Sequence, residues 1–260
     1  LACAPTQRTT GVEGAYEACY GDETQMVTAT FAEFAPVSSE TAPYHPDEDI
    51  EIQVDLVNKN TQEIDSGNVK VKLTGDVAIS SIFSGASVVS ADTLYAIDPD
   101  TCLTETSDVE IGPLKYQGEI TTKISKEMTG LYCYEAPVVV KAFLYFTDDT
   151  TAIGENLPSG SNPPSGVQVT KIEQDPVNVD RESNTAELRF KLYLENVGTG
   201  TIVENLDSCF EYREASYQEE FSLSIDGAYD VECPDHVELS RAEKLDVVTC
   251  KVSGIDVTNL

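Results

Sequence analysis

One stretch of this chain occurs twice, and that repetition limits the fold more than any other feature. Residues 51–60 read EIQVDLVNKN and residues 187–196 read ELRFKLYLEN, at a displacement of 136 (187 minus 51). Upstream, VTATFAEFAPV at 27–37 lies over VQVTKIEQDPV at 167–177 at a displacement of 140. A period of this size indicates two copies of one folded module.

The two copies end differently. Two short pairs share a displacement of 128: VEI at 109–111 with VEL at 237–239, and TKIS at 122–125 with CKVS at 250–253. The first copy then continues through LYCYEAPVVVKAFLYF at 131–146, whose counterpart at the same displacement would need residues 259–274, whereas the sequence ends at Leu260. We therefore expect the second copy to lack its last strand, with a groove and an unpaired edge beside residues 246–252.

Alternation of apolar and polar residues is the dominant pattern, as at 50–56 and 188–194. It predicts half-buried β-strands, and no segment shows sustained helical periodicity. Further strand candidates are residues 69–73, 77–83, 118–124, 138–146, 221–225 and 246–252. Many short strands at this spacing predict an all-β protein of two tandem immunoglobulin-like antiparallel β-sandwiches.

The predicted organisation has four parts. An N-terminal extension at 1–24 precedes a first sandwich at 25–153, and an incomplete second sandwich occupies 167–260. Between them, 154–166 reads GENLPSGSNPPSG, a composition typical of a linker.

The N-terminal extension contains a strand pattern with no partner in either copy. Val12, Tyr16, Ala18 and Tyr20 fall on one parity together with Gly14. We expect residues 12–20 to be a candidate donor strand for subunit assembly, with an intramolecular edge strand or a disordered tail as the alternatives.

Charge excludes several classes of partner. The formal net charge is −30, from 46 acidic and 16 basic residues. No basic face is available for nucleic-acid phosphates, and the charge opposes adsorption to anionic lipid. No apolar run approaches the roughly 20 residues of a membrane helix.

Seven cysteines in a chain of short strands favour an extracytoplasmic, extracellular or cell-surface location with disulfides. Buried free thiols are the alternative. The first pair expected is Cys102 with Cys133, and Cys3 with Cys19 would close the N-terminal segment. Three cysteines then share the second copy, and they are Cys209, Cys233 and Cys250. One would be left over, either as a free thiol or as a bond to a neighbouring chain.

Residues for catalysis are lacking, so we expect no enzyme and no cofactor. The only two histidines, His45 and His236, lie far apart in loop-like sequence, and no nucleophile, nucleotide or zinc motif occurs. Acidic clusters such as 47–49, 98–100 and 148–149 leave calcium as a secondary hypothesis, although a solvated acidic surface explains them without a ligand. Sugar binding ranks lower, because the chain has no Trp.

The segment LRFKLYLENVGTGT at 188–201 combines alternating apolar residues, an Asn and a Gly-containing turn. In this signature the chain resembles the tandem immunoglobulin-like repeats of archaeal cell-surface, S-layer-type and pilus-type filament proteins, and bacterial adhesion-type repeats. The resemblance covers about two thirds of the chain and rests mostly on the second copy. It implies a secreted protein built for display or assembly, with no active site to transfer.

Two functions follow as hypotheses. The first is a structural subunit of an extracellular filament or surface array, in which copies of the chain assemble head-to-tail by strand donation into an open homopolymer. The alternative is a cell-surface adhesin that binds a protein, glycan or calcium ligand and whose chain continues beyond residue 260.

Overall fold

Alternating sequence becomes antiparallel sheet in both copies. The computed structural model describes residues 24–33, 43–45, 47–75, 79–85, 87–98, 100–119, 122, 125–140, 164–198, 200, 202–203, 205–207, 209–210, 218–222, 230–234, 236–240 and 245–257. In the two long central strands, β2 (Ile50–Asn58) and β10 (Thr185–Asn196), every second side chain is buried. The chain is therefore an all-β protein with several antiparallel sheets, as the sequence predicts.

The described residues form two compact units. One comprises Gln25–Pro137 together with Asn205–Tyr212, and the other contains Val138–Glu204 and Arg213–Leu260. The short segment Asn205–Tyr212 thus lies between two parts of the second unit in sequence but belongs to the first.

The first unit has two sheets. Its strands are β1 (Val27–Phe31), β2, β3 (Val69–Gly75), β4 (Phe83–Ser84), β5 (Val88–Ser90), β6 (Thr106–Tyr116) and β7 (Met128–Tyr134). One sheet has the order β1-β2-β6-β4 and the other β5-β3-β7. Ile52 and Leu56 from the first sheet and Val71 and Leu73 from the second are buried in one core. Burial of such side chains contributes about 1.5–3 kcal/mol each.

The second unit repeats this layout. Its strands are β8 (Val167–Gln174), β9 (Asn178–Asp180), β10, β11 (Gln218–Ser222), β12 (Asp230–Glu232), β13 (His236–Ser240) and β14 (Leu245–Asp256). One sheet has the order β8-β10-β14-β12, with β9 also paired to β10, and β11 pairs with β13. Leu188, Phe190 and Val252 are among the buried core residues.

An irregularity at the same point of both copies supports the correspondence. The β2–β6 register shifts between Ile50 and Ile52, opposite Gly112, and the β10–β14 register shifts between Ala186 and Leu188, opposite Gly254. Both glycines have positive φ, 141° and 72°. A bulge that bends the central pair is therefore part of the module.

Some predicted strands are wrong. Within 77–83 the chain forms a helical turn, α1 (Ile79–Ile82), followed by the two-residue β4. Ile79, Ile82 and Phe83 have i, i+3, i+4 spacing, which favours a helical turn over a strand. The described residues of 118–124 are not in a strand, because β6 has already ended at Tyr116. Of 138–146, the first three residues are not in a strand and the rest lie outside the described part of the chain.

Candidate functional site

The strand orders of the two units identify one unfilled position. The sheet β1-β2-β6-β4 corresponds to β8-β10-β14-β12, so β6 corresponds to β14 and β4 to β12. In the other sheet β3 lies between β5 and β7, whereas within the described residues β11 pairs with β13 alone. Since β13 takes the place of β5, the side of β11 that corresponds to β7 is open among these residues. We call it the β11 edge.

The groove expected beside residues 246–252 stays a prediction for residues 246–250, where the described residues pair β14 with β10 alone. β14 pairs with β10 along most of its length, and at 251–253 it also pairs with β12. The short sequence matches at a displacement of 128 do not join equivalent strands, because they align β6 with β13, whereas the strand order makes β14 the counterpart of β6. Ile111 faces Ile52 and Val252 faces Leu188, so β6 and β14 are displaced by 141 (252 minus 111).

β7 shows what such a position holds when it is filled. It runs antiparallel to β3, with Tyr132 opposite Val71 and Gly130 opposite Leu73. Met128, Tyr132 and Tyr134 pack against the core of the first unit. The strand therefore supplies both backbone pairing and apolar cover.

Two tyrosines of β7 are anchored to the start of β1. The Tyr132 hydroxyl group donates to the carbonyl oxygen of Val27 at 3.0 Å. Burial raises the pKa of Tyr134 to about 12, with a smaller contribution from Tyr132. Burial also raises the pKa of Tyr132, so both phenols stay in the neutral form that can donate a hydrogen bond.

The disulfides differ from the expected pairing. Cys133 is bonded to Cys209 rather than to Cys102, and Cys233 is bonded to Cys250. Cys102 is also disulfide-bonded. None of the three cysteines in the second copy is left over. The expected bond between Cys3 and Cys19 lies outside the described part of the chain.

Cys133 pairs with Cys209 because the segment Asn205–Tyr212 belongs to the first unit. The spacing of cysteines in the sequence does not reveal this. Asp207 forms an ion pair with Lys70 of β3, and the Lys70 hydrogen bond lowers the pKa of the Asp207 carboxyl. The ammonium group of Lys72 lies 5.5 Å from the ring centroid of Phe210. Cys133 is the register partner of Lys70, so this segment binds neighbouring positions on β3 and β7.

The second unit receives an apolar side chain from beyond β7. Val140 packs, partly buried, against the core formed by residues such as Leu192 and Val248. At the C-terminal end of the predicted linker, the Gly166 carbonyl accepts hydrogen bonds from the backbone amides of Val197 and Gly198, at 2.8 and 3.1 Å.

The acidic clusters have structural partners where they are described. The Asp98 carboxylate accepts hydrogen bonds from the backbone amides of Asp100 and Thr101, which lower its pKa. Asp49 pairs with Lys115 at 3.1 Å. Among the described residues no group of three or more His, Cys, Asp or Glu side chains could hold a metal ion.

An ion pair and a side-chain hydrogen bond connect neighbouring strands of the second unit. The Lys251 ammonium group lies 2.9 Å from the Glu187 carboxylate and lowers its pKa. The Tyr193 hydroxyl group donates to Glu173 at 2.6 Å. These contacts join β14, β10 and β8 across their register.

The assembly residues expected from the sequence, Val12, Tyr16, Ala18 and Tyr20, lie outside the described residues. The β11 edge itself was missed by sequence reasoning. The bulge glycines come within one residue of locating it, because Gly112 and Gly254 are displaced by 142 (254 minus 112), whereas strand pairing displaces β6 and β14 by 141.

No family model matches the chain, and neither a curated protein nor a solved structure matches it. No helix in the described part of the chain is long and apolar enough to cross a membrane. The class defined by the fold is an all-β protein of two units with repeated strand order and disulfides in each.

Proposed function

We propose that this chain is a non-enzymatic structural subunit of an extracellular filament or cell-surface array, and that copies of it join head-to-tail by strand addition at the β11 edge. The single observation that carries the proposal is the difference between two sheets among the described residues, which is three strands in β5-β3-β7 and two in β11-β13. An unpaired strand edge is a template for another strand.

β7, which pairs with β3 in the first unit, indicates how strongly a strand would bind at the corresponding β11 edge. β7 contributes three partly buried large side chains, Met128, Tyr132 and Tyr134. Each large apolar side chain is worth about 1.5–3 kcal/mol when fully buried, and each backbone hydrogen bond adds roughly 0.5–1.5 kcal/mol. A strand of the same kind at the β11 edge would bind tightly.

The disulfides support the location. Cys133–Cys209 and Cys233–Cys250 are typical of proteins that fold in an oxidising compartment. Two immunoglobulin-like sandwiches in tandem would suit an extended surface polymer. A donor segment and an acceptor edge are different parts of the chain, so their contact is heterologous and does not close into a dimer.

The charge adds a condition. With a net charge of −30, neighbouring copies repel each other at low salt. The Debye length falls from about 30 Å at 0.01 M salt to about 8 Å at 0.15 M. Assembly should therefore increase with ionic strength.

The test is the size of the purified chain under oxidising conditions at two salt concentrations. Light scattering after gel filtration and electron microscopy should show open polymers at 0.15 M salt or above, and shorter ones at low salt. A monodisperse monomer under all these conditions would rule out the proposal.

A further inference from the structure

We infer that copies of this chain also bind one another face to face, with an acidic sheet surface on the first unit of one copy against a basic sheet surface on the second unit of another. The two surfaces lie at corresponding positions of the repeated module and carry opposite charge. Neither surface includes the β11 edge, so this contact goes beyond strand addition.

Where β2 and β6 pair, the outward side chains of the first unit are acidic. They alternate along each strand with buried core residues, and Asp108 and Glu110 are exposed. The cross-strand pairs are Gln53 with Glu110, Asp55 with Asp108 and Val57 with Thr106. We call these six residues the acidic face, which carries three negative charges and no positive one.

The corresponding outward side chains of the second unit are basic. On β10 and β14 the cross-strand pairs are Arg189 with Lys251, Lys191 with Thr249 and Tyr193 with Val247. We call these six residues the basic face, which carries three positive charges and no negative one. β10 is displaced from β2 by 136 (189 minus 53) and β14 from β6 by 141 (251 minus 110), so every cross-strand pair of one face matches a pair of the other.

The carboxylates of the acidic face repel one another. Asp55 lies directly opposite Asp108, and like charges at such positions are destabilising. The Gln53 side chain donates a hydrogen bond to the Asp55 carboxylate at 3.3 Å, which brings no positive charge. None of the three carboxylates of this face forms an ion pair with a described residue. A partner that carries positive charges would therefore relieve the repulsion.

Two cations of the basic face share one anion. Arg189 lies directly opposite Lys251, and the Glu187 carboxylate oxygens lie 3.3 Å from Arg189 Nε and 2.9 Å from Lys251 Nζ. That carboxylate holds the two like charges together. Both side chains remain accessible to solvent, Arg189 at 62% and Lys251 at 37%, so both can also contact a carboxylate of a partner.

Lys191 is the third cation, and it forms no ion pair with a described residue. Glu173 lies opposite it on β8. The Glu173 carboxylate, however, accepts the Tyr193 hydroxyl group at 2.6 Å and lies 3.7 Å from the Lys171 ammonium group. Lys191 corresponds in position to Asp55 of the acidic face, and its ammonium group is available to a carboxylate of a partner.

A second copy is the partner because it supplies an acidic surface with matching spacing. Both faces stand on the same two-strand frame, so their side chains repeat at the same distances along and across the strands. A basic surface is an exception on a chain with 46 acidic and 16 basic residues, and it favours an acidic partner. The faces belong to different units, so each copy offers one of each and the contact is heterologous.

The contact is small. A stable interface covers about 800 Å² on each partner, with roughly 20–30 residues a side. Six residues a side therefore bind weakly between two isolated copies, and covalent trapping is the suitable measurement. Repetition along a polymer would strengthen the contact, because each further pair of faces meets between chains that are already held together.

The test is zero-length cross-linking of the full-length chain by a carbodiimide, which joins a lysine amine to a carboxylate in contact with it. Unlabelled and heavy-isotope-labelled wild type are mixed in equal amounts, so a linked pair of peptides with different labels comes from two copies. Mass spectrometry should find such mixed-label links from Lys191 or Lys251 to Asp55, Asp108 or Glu110. Absence of these links, or links that never mix the labels, would overturn the inference.

Charge reversal supplies matched variants. Arg189→Glu with Lys191→Glu makes the basic face acidic, and Asp55→Lys with Asp108→Lys makes the acidic face basic. Each double variant alone should lose the mixed-label links, because its two faces then have the same sign. An equal mixture of the two should regain links between the reversed positions, as should a chain with all four substitutions, which has the wild-type net charge. Links retained by both double variants, or regained in neither case, would overturn the inference.

A pair of single variants controls for net charge. Lys191→Glu and Lys126→Glu change the charge of the chain equally, but Lys126 lies exposed between β6 and β7, outside both faces. Lys191→Glu should reduce the yield of mixed-label links from Lys251 several-fold, and Lys126→Glu should leave it at the wild-type level. Equal yields from the two variants would contradict the assigned basic face.

Salt separates the face contact from strand addition at the β11 edge. The Debye length falls from about 8 Å at 0.15 M salt to about 3 Å at 1 M, so links between the faces should decrease while polymers joined at the β11 edge persist. Polymers without links would overturn the face contact alone. Polymers that disappear together with the links would instead show that the face contact is the joint, and would defeat strand addition.

Discussion

Cys133 on β7 is covalently joined to Cys209, across a sequence separation of 76 residues. Their Cα atoms lie 6.4 Å apart. The bond closes a loop that contains β8, β9 and β10. Tension applied to the two ends of the chain therefore passes from Cys133 to Cys209 without stretching that loop.

Removal of the Cys133–Cys209 disulfide should lengthen the fully extended protein in single-molecule stretching. An extended chain spans about 3.3–3.6 Å per residue, so releasing 76 residues adds roughly 250–270 Å to the fully extended protein. Cys133→Ser combined with Cys209→Ser should show this increment relative to the oxidised protein.

The second disulfide provides a matched control. Cys233–Cys250 spans 17 residues, and its removal should release only about 60 Å. Equal increments for the two double variants, or none for Cys133 and Cys209, would contradict the assigned connectivity.

The two disulfides should also contribute different amounts to the free energy of unfolding. Chain-entropy arguments give about 4.5 kcal/mol for a loop of 76 residues and about 3 kcal/mol for one of 17. Urea unfolding of the two double variants should therefore show the larger loss for Cys133 and Cys209. A smaller loss for that pair would indicate that its loop is already restricted in the unfolded chain.

The local sequence pattern was sufficient to predict where the central strands lie, but not which strands and cysteines pair with each other. Alternation placed β2 and β10 correctly, because one buried face at period 2 is a property of the strand itself. Pairing of β14 with β10, and of Cys133 with Cys209, depends on contacts between distant segments. Nothing in the spacing of cysteines indicates that Asn205–Tyr212 joins the first unit.

Tyr134 predicts a loss of stability at alkaline pH. Its pKa is raised from 10.0 to about 12 by burial, so the folded protein keeps the proton while the unfolded chain releases it. The stabilisation is complete below pH 10 and is lost as the pH rises to about 12, by about 3 kcal/mol at most. Tyr134→Phe should flatten this decline in urea-unfolding midpoints of the first unit. An unchanged decline would show that other groups cause it.

The two bulge glycines should respond unequally to alanine. At Gly112 a Cβ would lie 2.8 Å from the carbonyl oxygen of Ile50, and φ is +141°. Gly112→Ala should therefore destabilise the first unit by roughly 2–3 kcal/mol. At Gly254 nothing lies within 4 Å, so Gly254→Ala should cost the second unit only the left-handed strain of about 1–2 kcal/mol. Hydrogen exchange of β6 and β14 measures each effect, and equal losses would contradict the close approach at Gly112.

Without the Cys133–Cys209 disulfide, the contact of Asn205–Tyr212 with β3 should become sensitive to salt and pH. In Cys133→Ser with Cys209→Ser, the Lys70–Asp207 pair and the Lys72–Phe210 contact remain. Because Lys70 lowers the pKa of Asp207, that pair contributes above the ordinary carboxyl pKa of 3.8 and is lost as the pH falls through the lowered value. Asp207 is exposed to solvent, so salt also weakens the pair. Hydrogen exchange at 205–210 should accelerate in high salt in the disulfide-free variant and stay slow in the oxidised protein. Asp207→Asn in the disulfide-free variant should remove the salt dependence. Equal exchange in the disulfide-free variant and the oxidised protein would mean that the disulfide does not hold this segment.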